Sequence, residues 1–277
     1  MKIFEGFTLR GVVDVARREL AERPRTQLLR VVLMLSSFVV VGLLALWITK
    51  GALDYDDAAT VTPYLQREAT RMFLMIIGVS SYFLVGLFSM LSASLMFPEL
   101  AAKDRRIHFF MIPQSMADKF WGRFAVYVVL FAVSLILCMV VAFILVWGVG
   151  QILCPDLLLL SAAIKMVFNI LDSNDVLNVI LPPLLAFLLA NCSFFVVGSV
   201  AFPRYSFIKT YVALMILQIA LQTAAVPLIS VVLEGDLTLK ATGAAWLSGT
   251  ATFMLLLLMV GNWIAASYWL KKSDVID

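Results

Sequence analysis

Six long apolar runs constrain this chain more than any other feature of its sequence. A helix needs about 20 apolar residues to cross the roughly 30 Å hydrocarbon core of a bilayer. None of the six runs contains Asp, Glu, Lys, Arg or His. We therefore expect an all-α fold, a polytopic bundle of six transmembrane helices over Val31–Thr49, Met72–Phe97, Phe124–Leu153, Val176–Phe202, Thr210–Leu233 and Ala241–Leu270.

Composition supports a membrane protein. Of the 277 residues, 62% are hydrophobic and 14% are charged, whereas a soluble domain typically has about 45–50% apolar and about 25% charged residues. The polar segments between the apolar runs are too short to form a separate soluble domain. The sequence therefore predicts a single transmembrane domain over 1–277, with an amphipathic cytoplasmic stretch at 1–27 and a six-span bundle at 28–277.

The distribution of Lys and Arg predicts the orientation. Loops on one side of the predicted spans, at 1–30, 98–123, 203–209 and 271–277, hold sixteen of these residues, and the loops on the other side hold five. Cytoplasmic loops of membrane proteins carry the excess of Lys and Arg. Both termini are therefore predicted to be cytoplasmic, in a bacterial-type inner membrane. Because the positive charges follow the loops and form no basic patch, nucleic-acid binding is not expected.

Two further stretches are predicted to lie at the membrane surface. Leu157–Leu171 is apolar but short and contains Lys165, which favours a helix on the outer surface, with a re-entrant segment as the alternative. Leu9, Val12, Val13, Ala16 and Leu20 repeat at helical spacing, opposite Arg10, Asp14, Arg17 and Arg18. This amphipathic pattern predicts an interfacial helix that contacts membrane lipids, either as an anchor or as an elbow that cradles a partner subunit. The run that follows is too long for a cleaved signal peptide.

The loop at 98–123 is the most distinctive polar segment. Pro98 suits the first turn of a short helix, and Pro113 should interrupt the apolar stretch Ile107–Ile112. Ser115 and Asp118 form an S-x-x-D pair, which predicts a helix that begins at Ser115 and continues into the third span. Four apart on that helix, Lys119 and Arg123 are expected to face the anionic inner leaflet. Phe109 and Phe110 either dip into the interface or pack against another protein.

Few residues suggest chemistry. His108 is the only histidine, and Cys138, Cys154 and Cys192 form no CxxC pattern; we therefore expect no metal, no cofactor and no enzymatic activity. The absence of ionisable groups from the spans argues against a proton- or ion-coupled carrier. The acidic loop at 54–57 is interpreted as solvated.

The polar residues in the spans serve interhelical hydrogen bonding or, less readily, substrate contact: Asn191, Gln218, Gln222 and Asn262. Small residues predict close helix packing in the second and sixth spans: Gly78, Gly86, Ser89, Ala93, Gly261 and Ala265.

The same loop resembles that of a known family. The positions Pro113, Ser115, Asp118, Lys119, Phe120 and Arg123 resemble the loop after the second span of type-2 ABC exporter permeases, in which Leu-Pro-x-Ser is followed by an acidic residue, Lys, an aromatic residue and a basic residue. This chain has Ile112 in place of the leucine. Six spans, cytoplasmic ends, an amphipathic N-terminal helix and a length near 280 residues are also similar.

This resemblance implies a permease that forms a homodimer or pairs with a similar permease, and that works with a separate ABC ATPase subunit. The sequence has no G-x-x-x-x-G-K-[ST] phosphate loop of its own. The loop would then be the ATPase-coupling element, with Phe109, Phe110 and Ile112 in an apolar groove of the ATPase and Arg105, Arg106 and Lys119 at the rim. An apolar substrate path favours a lipid, a peptide or a drug-like molecule. The alternative is a non-transporting accessory or sensor protein of the membrane.

Overall fold

The computed structural model describes residues 8–22, 24–52, 62–154, 158, 160–172, 181–234 and 241–272. Within these ranges the fold is all-α, without any strand, which confirms the all-α part of the predicted fold class. The elements are α1 (Leu9–Glu22), α2 (Pro24–Ala52), α3 (Pro63–Ser94), a 3-10 helix (Pro98–Ala101), α4 (Lys103–Met111), α5 (Met116–Phe124), a π-helical stretch (Ala125–Leu130), α6 (Phe131–Leu153), α7 (Leu160–Asp172), α8 (Leu181–Ala201), α9 (Ser206–Glu234) and α10 (Ala241–Lys272).

Five helical stretches of the described chain are long and apolar enough to cross a membrane: Pro24–Ala52, Pro63–Ser94, Met116–Leu153, Leu181–Ala201 and Ser248–Lys272. Helices of this length and composition are typical of a multi-pass membrane protein, as the apolar runs predicted. Ser206–Ala220 of α9 is a shorter apolar stretch. The acidic residues at 54–57 lie outside the described residues.

The helices begin where their sequences favour a helix start. Pro24 and Pro63 stand at the first positions of α2 and α3, where the missing N–H of proline costs nothing. Thr62 precedes α3, and its Oγ1 accepts a hydrogen bond from the Leu65 N–H at 3.3 Å. Both helices begin before the apolar runs because polar first turns extend a helix beyond the part that crosses hydrocarbon.

One compact unit comprises Arg18–Ser89 and Val129–Ser173, and in it α2 packs against α6. Two glycines on these helices allow a close approach. A Cβ at Gly42 would lie 2.6 Å from Val146 Cγ2, and a Cβ at Gly150 would lie 2.7 Å from Leu46 Cδ1. The buried hydrophobic residues around this contact are Met34, Phe38, Ala45, Leu46, Phe73, Phe131, Leu135, Cys138, Ala142 and Val146.

The other unit comprises Met1–Arg17, Met90–Val128 and Asn174–Asp277, and in it α8 packs against both α9 and α10. The amide of Asn262 on α10 donates to Ser193 Oγ on α8 at 2.9 Å, which confirms an interhelical role for Asn262. Asn191 instead donates within its own helix, to the Phe187 carbonyl at 2.8 Å. The side chain of Gln222 lies outside the described part of the chain.

The glycines of the second and sixth spans do not mark close helix contacts, whereas Ala93 of the second span is 1% exposed and lies in a buried core cluster. A Cβ built at Gly78, Gly86 or Gly261 would meet no atom of another described residue within 4 Å. The expectation of close packing at these glycines is therefore wrong for contacts within this chain. A Cβ would meet atoms at 2.7 Å or less at five other glycines: Gly11, Gly42, Gly122, Gly150 and Gly198.

The contact between α8 and α9 gives a stability prediction. Thr210 is buried against Gly198, and its hydroxyl makes no hydrogen bond with any described residue. Thr210→Val keeps the shape and removes this unsatisfied group, so we expect the free energy of unfolding to rise by about 1 kcal/mol. The equally buried Thr49 donates its hydroxyl hydrogen to the Ala45 carbonyl at 2.8 Å, so Thr49→Val should lower stability by about 1 kcal/mol. Thermal unfolding of both variants in detergent measures the two changes, and an equal loss of stability in both variants would contradict the prediction.

Candidate functional site

The segment at 97–124 is built from short helices whose ends follow the sequence. Pro98 opens the 3-10 helix, as expected. Helix α4 ends at Met111, and Ile112 is extended because a residue before proline disfavours the helical region. Ser115 then caps α5, its Oγ accepting the Asp118 N–H at 3.0 Å. The predicted helix start at Ser115 is confirmed, and the helical chain continues from there to Leu153.

Lys119 holds the end of α4. Its side chain is only 2% exposed, and its Nζ donates to the carbonyls of Phe109 at 3.0 Å and Phe110 at 3.3 Å. Carbonyls in the last turn of a helix have no partner within that helix and carry partial negative charge. An ammonium group at this point satisfies two of them. Lys119 therefore fixes α4 to α5, which corrects the expectation that it forms a rim contact or faces the inner leaflet.

Arg123 holds the turn that precedes α4. It is 5% exposed, donates from Nη1 to the Met96 carbonyl at 3.1 Å, and forms an ion pair with Glu99. Its guanidinium carbon lies 4.7 Å from the centre of the Phe109 ring and 5.6 Å from that of Phe97. Cations are attracted to the faces of aromatic rings at such distances. Arg123 is thus also an internal residue and does not face lipid headgroups.

Aromatic rings fill the space between these helices. Phe97 stacks on Phe120 with ring centres 6.1 Å apart and meets Phe109 edge to face at 6.1 Å. Phe124, one turn after Phe120, meets Trp263 of α10 at 4.9 Å. Offset-stacked and edge-to-face ring pairs stabilise a core beyond their buried area. The rings therefore fasten the 97–124 segment to α10.

Helix α1 is joined to the beginning of α5. The Asp118 carboxylate accepts the Thr8 N–H at 2.8 Å and the Thr8 hydroxyl at 3.3 Å. A Cβ at Gly11 would lie 2.5 Å from Asp118 Oδ2. One at Gly122 would lie 2.6 Å from Val15 Cβ and 2.9 Å from the Val12 carbonyl oxygen. The two helices therefore touch at backbone distance, and Asp118 links them.

The rest of α4 forms an outer face, defined here as Asp104, Arg105, Ile107, His108 and Met111, all of which are exposed. Met111 is 74% exposed. Phe109, by contrast, is 3% exposed and packs in the aromatic core, so it is not a side chain that fills a groove on a partner. Arg106, Phe110 and Ile112 are half-buried, and Pro113 is exposed.

The site therefore divides the sequence candidates into two groups. Asp118, Lys119, Arg123 and Phe109 hold the segment together, whereas Arg105 remains available at its surface. The sequence did not indicate Thr8 or Glu99 as partners of these residues, although Thr8 directly before an amphipathic stretch is a typical helix cap. No group of three or more His, Cys, Asp or Glu side chains is gathered anywhere in the searched, described residues.

Comparisons of the chain with protein-family models, with curated proteins and with solved structures give no match.

Proposed function

We propose that this protein is the permease subunit of an ABC-type exporter, working with a separate ATP-binding subunit to move a substrate across a bacterial-type inner membrane. The support is the braced construction of the 97–124 segment. Three buried charged side chains of α5 bind neighbouring elements: Asp118 binds Thr8 at the start of α1, Lys119 binds the end of α4, and Arg123 binds the turn at 96–99. A segment that transmits force from a partner needs such internal bracing.

The outer face of α4 is the proposed contact with the ATPase. It combines two exposed apolar side chains, Ile107 and Met111, with the exposed Arg105 and His108. Apolar anchors surrounded by polar and basic side chains are the usual composition of a protein interface. Because Lys119 binds the end of α4 and Arg123 binds the turn before it, a push on this face would reach α5 and the helix that continues from it. A ligand-driven change of state requires a connection of this kind.

The proposal includes six spans with both termini on the cytoplasmic side, the sixth being α9. The apolar part of α9, Ser206–Ala220, continues as a helix to Glu234. The whole helix has 29 residues, more than the roughly 20 needed for a crossing. The subunit would act as a homodimer or with a similar permease. The substrate class that suits these apolar spans is a lipid, a peptide or a drug-like molecule.

Reporter tags after Asp57 and after Asp277 should report opposite compartments.

The test of function is the association with an ATPase. The affinity-tagged chain, purified from its native membrane, should bring with it an ATP-hydrolysing subunit in stoichiometric amount. Met111→Glu should abolish this association, because a charge replaces the most exposed apolar side chain of the outer face. The matched control is Tyr64→Glu, at a side chain of nearly equal exposure, 75% against 74%, which the proposed topology places on the opposite side of the membrane.

Two outcomes would overturn the proposal. One is a purified chain that never carries an ATP-hydrolysing partner, which would favour an accessory or sensor protein. The other is equal loss of the ATPase in Met111→Glu and Tyr64→Glu, which would mean that the outer face of α4 is not the contact.

A further inference from the structure

We infer that α1 is a lipid-responsive arm, and that the Thr8–Asp118 pair transmits its position to the outer face of α4. The inference rests on the proposed function for the importance of that face, and it adds a regulatory input from the membrane surface. The observations that carry it are the two different faces of α1 and the chain of contacts through one turn of α5.

Helix α1 has one face packed on protein and one left exposed. Thr8, Gly11 and Val15 lie towards α5, each in contact with it or a Cβ length from it. Leu9 and Val13, on a different side of the helix, are exposed, as is Leu20 further along. At helical spacing these three fall within a narrow apolar stripe. An apolar stripe that the described part of the chain leaves uncovered suits an apolar medium outside the chain.

Charge identifies that medium as an anionic lipid surface. Arg10 and Arg17 are exposed and lie along one edge of the Leu9–Val13–Leu20 stripe. A helix with an apolar stripe bordered by arginines binds in the plane of the membrane, with the stripe in the acyl boundary and the cations among the headgroups. Each Lys or Arg near an anionic surface strengthens binding to it about fivefold. The content of anionic lipid therefore sets how firmly α1 lies on the membrane.

The link from α1 to α4 is short. Thr8 bonds both oxygens of Asp118, and the next residue, Lys119, bonds the carbonyls of Phe109 and Phe110 immediately before Met111. Gly122, one turn on, touches the Val12 backbone of α1. Because α1 approaches α5 at backbone distance, α1 cannot shift on the membrane without moving α5 or breaking the Thr8–Asp118 pair. Motion of α5 carries the end of α4.

The experiment uses the full chain, in nanodiscs of phosphatidylcholine and of phosphatidylcholine with phosphatidylglycerol. An environment-sensitive label is placed at Met111→Cys or at Val13→Cys; the three native cysteines are buried. We expect the anionic lipid to change the signal of both labels. In Asp118→Ala, and in Thr8→Pro, which removes the donating N–H without altering α5, the signal at position 13 should still respond and the response at position 111 should be lost. Asp14→Ala removes an exposed acid of α1 but no contact with α5, so the response at position 111 should be retained. The response at position 13 should be at least as large as in the unmodified chain, because less negative charge opposes the anionic lipid.

Three results would overturn the inference. The first is a label at position 13 that ignores anionic lipid, which would point to a protein partner for the stripe. The second is a response at position 111 that persists in both Asp118→Ala and Thr8→Pro, since α4 would then sense lipid by itself. The third is a loss of the response at position 111 in Asp14→Ala that is as large as in Asp118→Ala and Thr8→Pro. No ATPase takes part in the assay, so these results are independent of the test of the proposed function.

Discussion

Replacing Arg123 by methionine is expected to lower the free energy of unfolding by about 3–5 kcal/mol, the usual cost of removing one partner of a buried ion pair. The side chain is almost fully buried, and its removal takes from Glu99 its guanidinium partner and from the Met96 carbonyl a donor. The Phe97 and Phe109 rings lose the cation that lies over them. Thermal unfolding in detergent, followed by tryptophan fluorescence, measures the loss.

Arg105→Met is the matched control for this substitution. Arg105 lies on the same segment and is exposed, so its replacement should change stability by no more than about 0.5 kcal/mol. The double variant Arg123→Met with Glu99→Gln should lose less than the two single losses together, because the two side chains contact each other. If Arg123→Met unfolded at the same temperature as the wild type, the ion pair would not form in the protein in detergent.

Gly122→Ala is expected to destabilise the protein although alanine is the better helix former. In an open helical position the change from Gly to Ala stabilises by about 1 kcal/mol. At Gly122 the new methyl group would stand 2.9 Å from the Val12 carbonyl oxygen, and a backbone atom yields less readily than a side chain. Overpacking of this kind costs about 1–3 kcal/mol, so the net effect should be a loss of stability and a displaced α1.

The control for Gly122→Ala is Gly86→Ala, at a helical glycine where a Cβ meets nothing within 4 Å. Thermal unfolding should therefore change in opposite directions in the two variants. Trypsin cleavage after Arg10 and Arg17 should become faster in Gly122→Ala only, because α1 is no longer seated on α5. A Gly122→Ala protein as stable and as protease-resistant as Gly86→Ala would contradict the close helix contact.

Local sequence signals predicted the helices and several of their ends. The starts at Pro98 and Ser115 and the stop before Pro113 depend on residues next to them in the chain, so proline geometry and side-chain capping suffice to predict them. The all-α class follows from the length of the apolar runs. The beginnings of α2 and α3 were placed too late, because hydropathy marks the crossing of hydrocarbon and not the first polar turn.

The directions of the charged side chains were not predictable in this way. Asp118 bonds Thr8 across 110 positions of the chain, and Arg123 bonds Met96 across 27. Whether a Lys or Arg points to solvent or into the protein depends on which distant carbonyls are left without donors, and this is known only once the helices have packed. The same dependence explains Phe109, whose burial is decided by Phe97 and Phe120 rather than by its neighbours.

In the proposed topology, Lys119 and Arg123 would act at two different times. During insertion, before the helices have packed around them, they would count among the cations that keep this loop on the cytoplasmic side. Once the helices have packed, the same charges are withdrawn from water and hold backbone carbonyls. Most Lys and Arg residues of the predicted cytoplasmic loops lie elsewhere in the sequence. A variant at either position should therefore still insert correctly, and any defect would arise after translocation is complete.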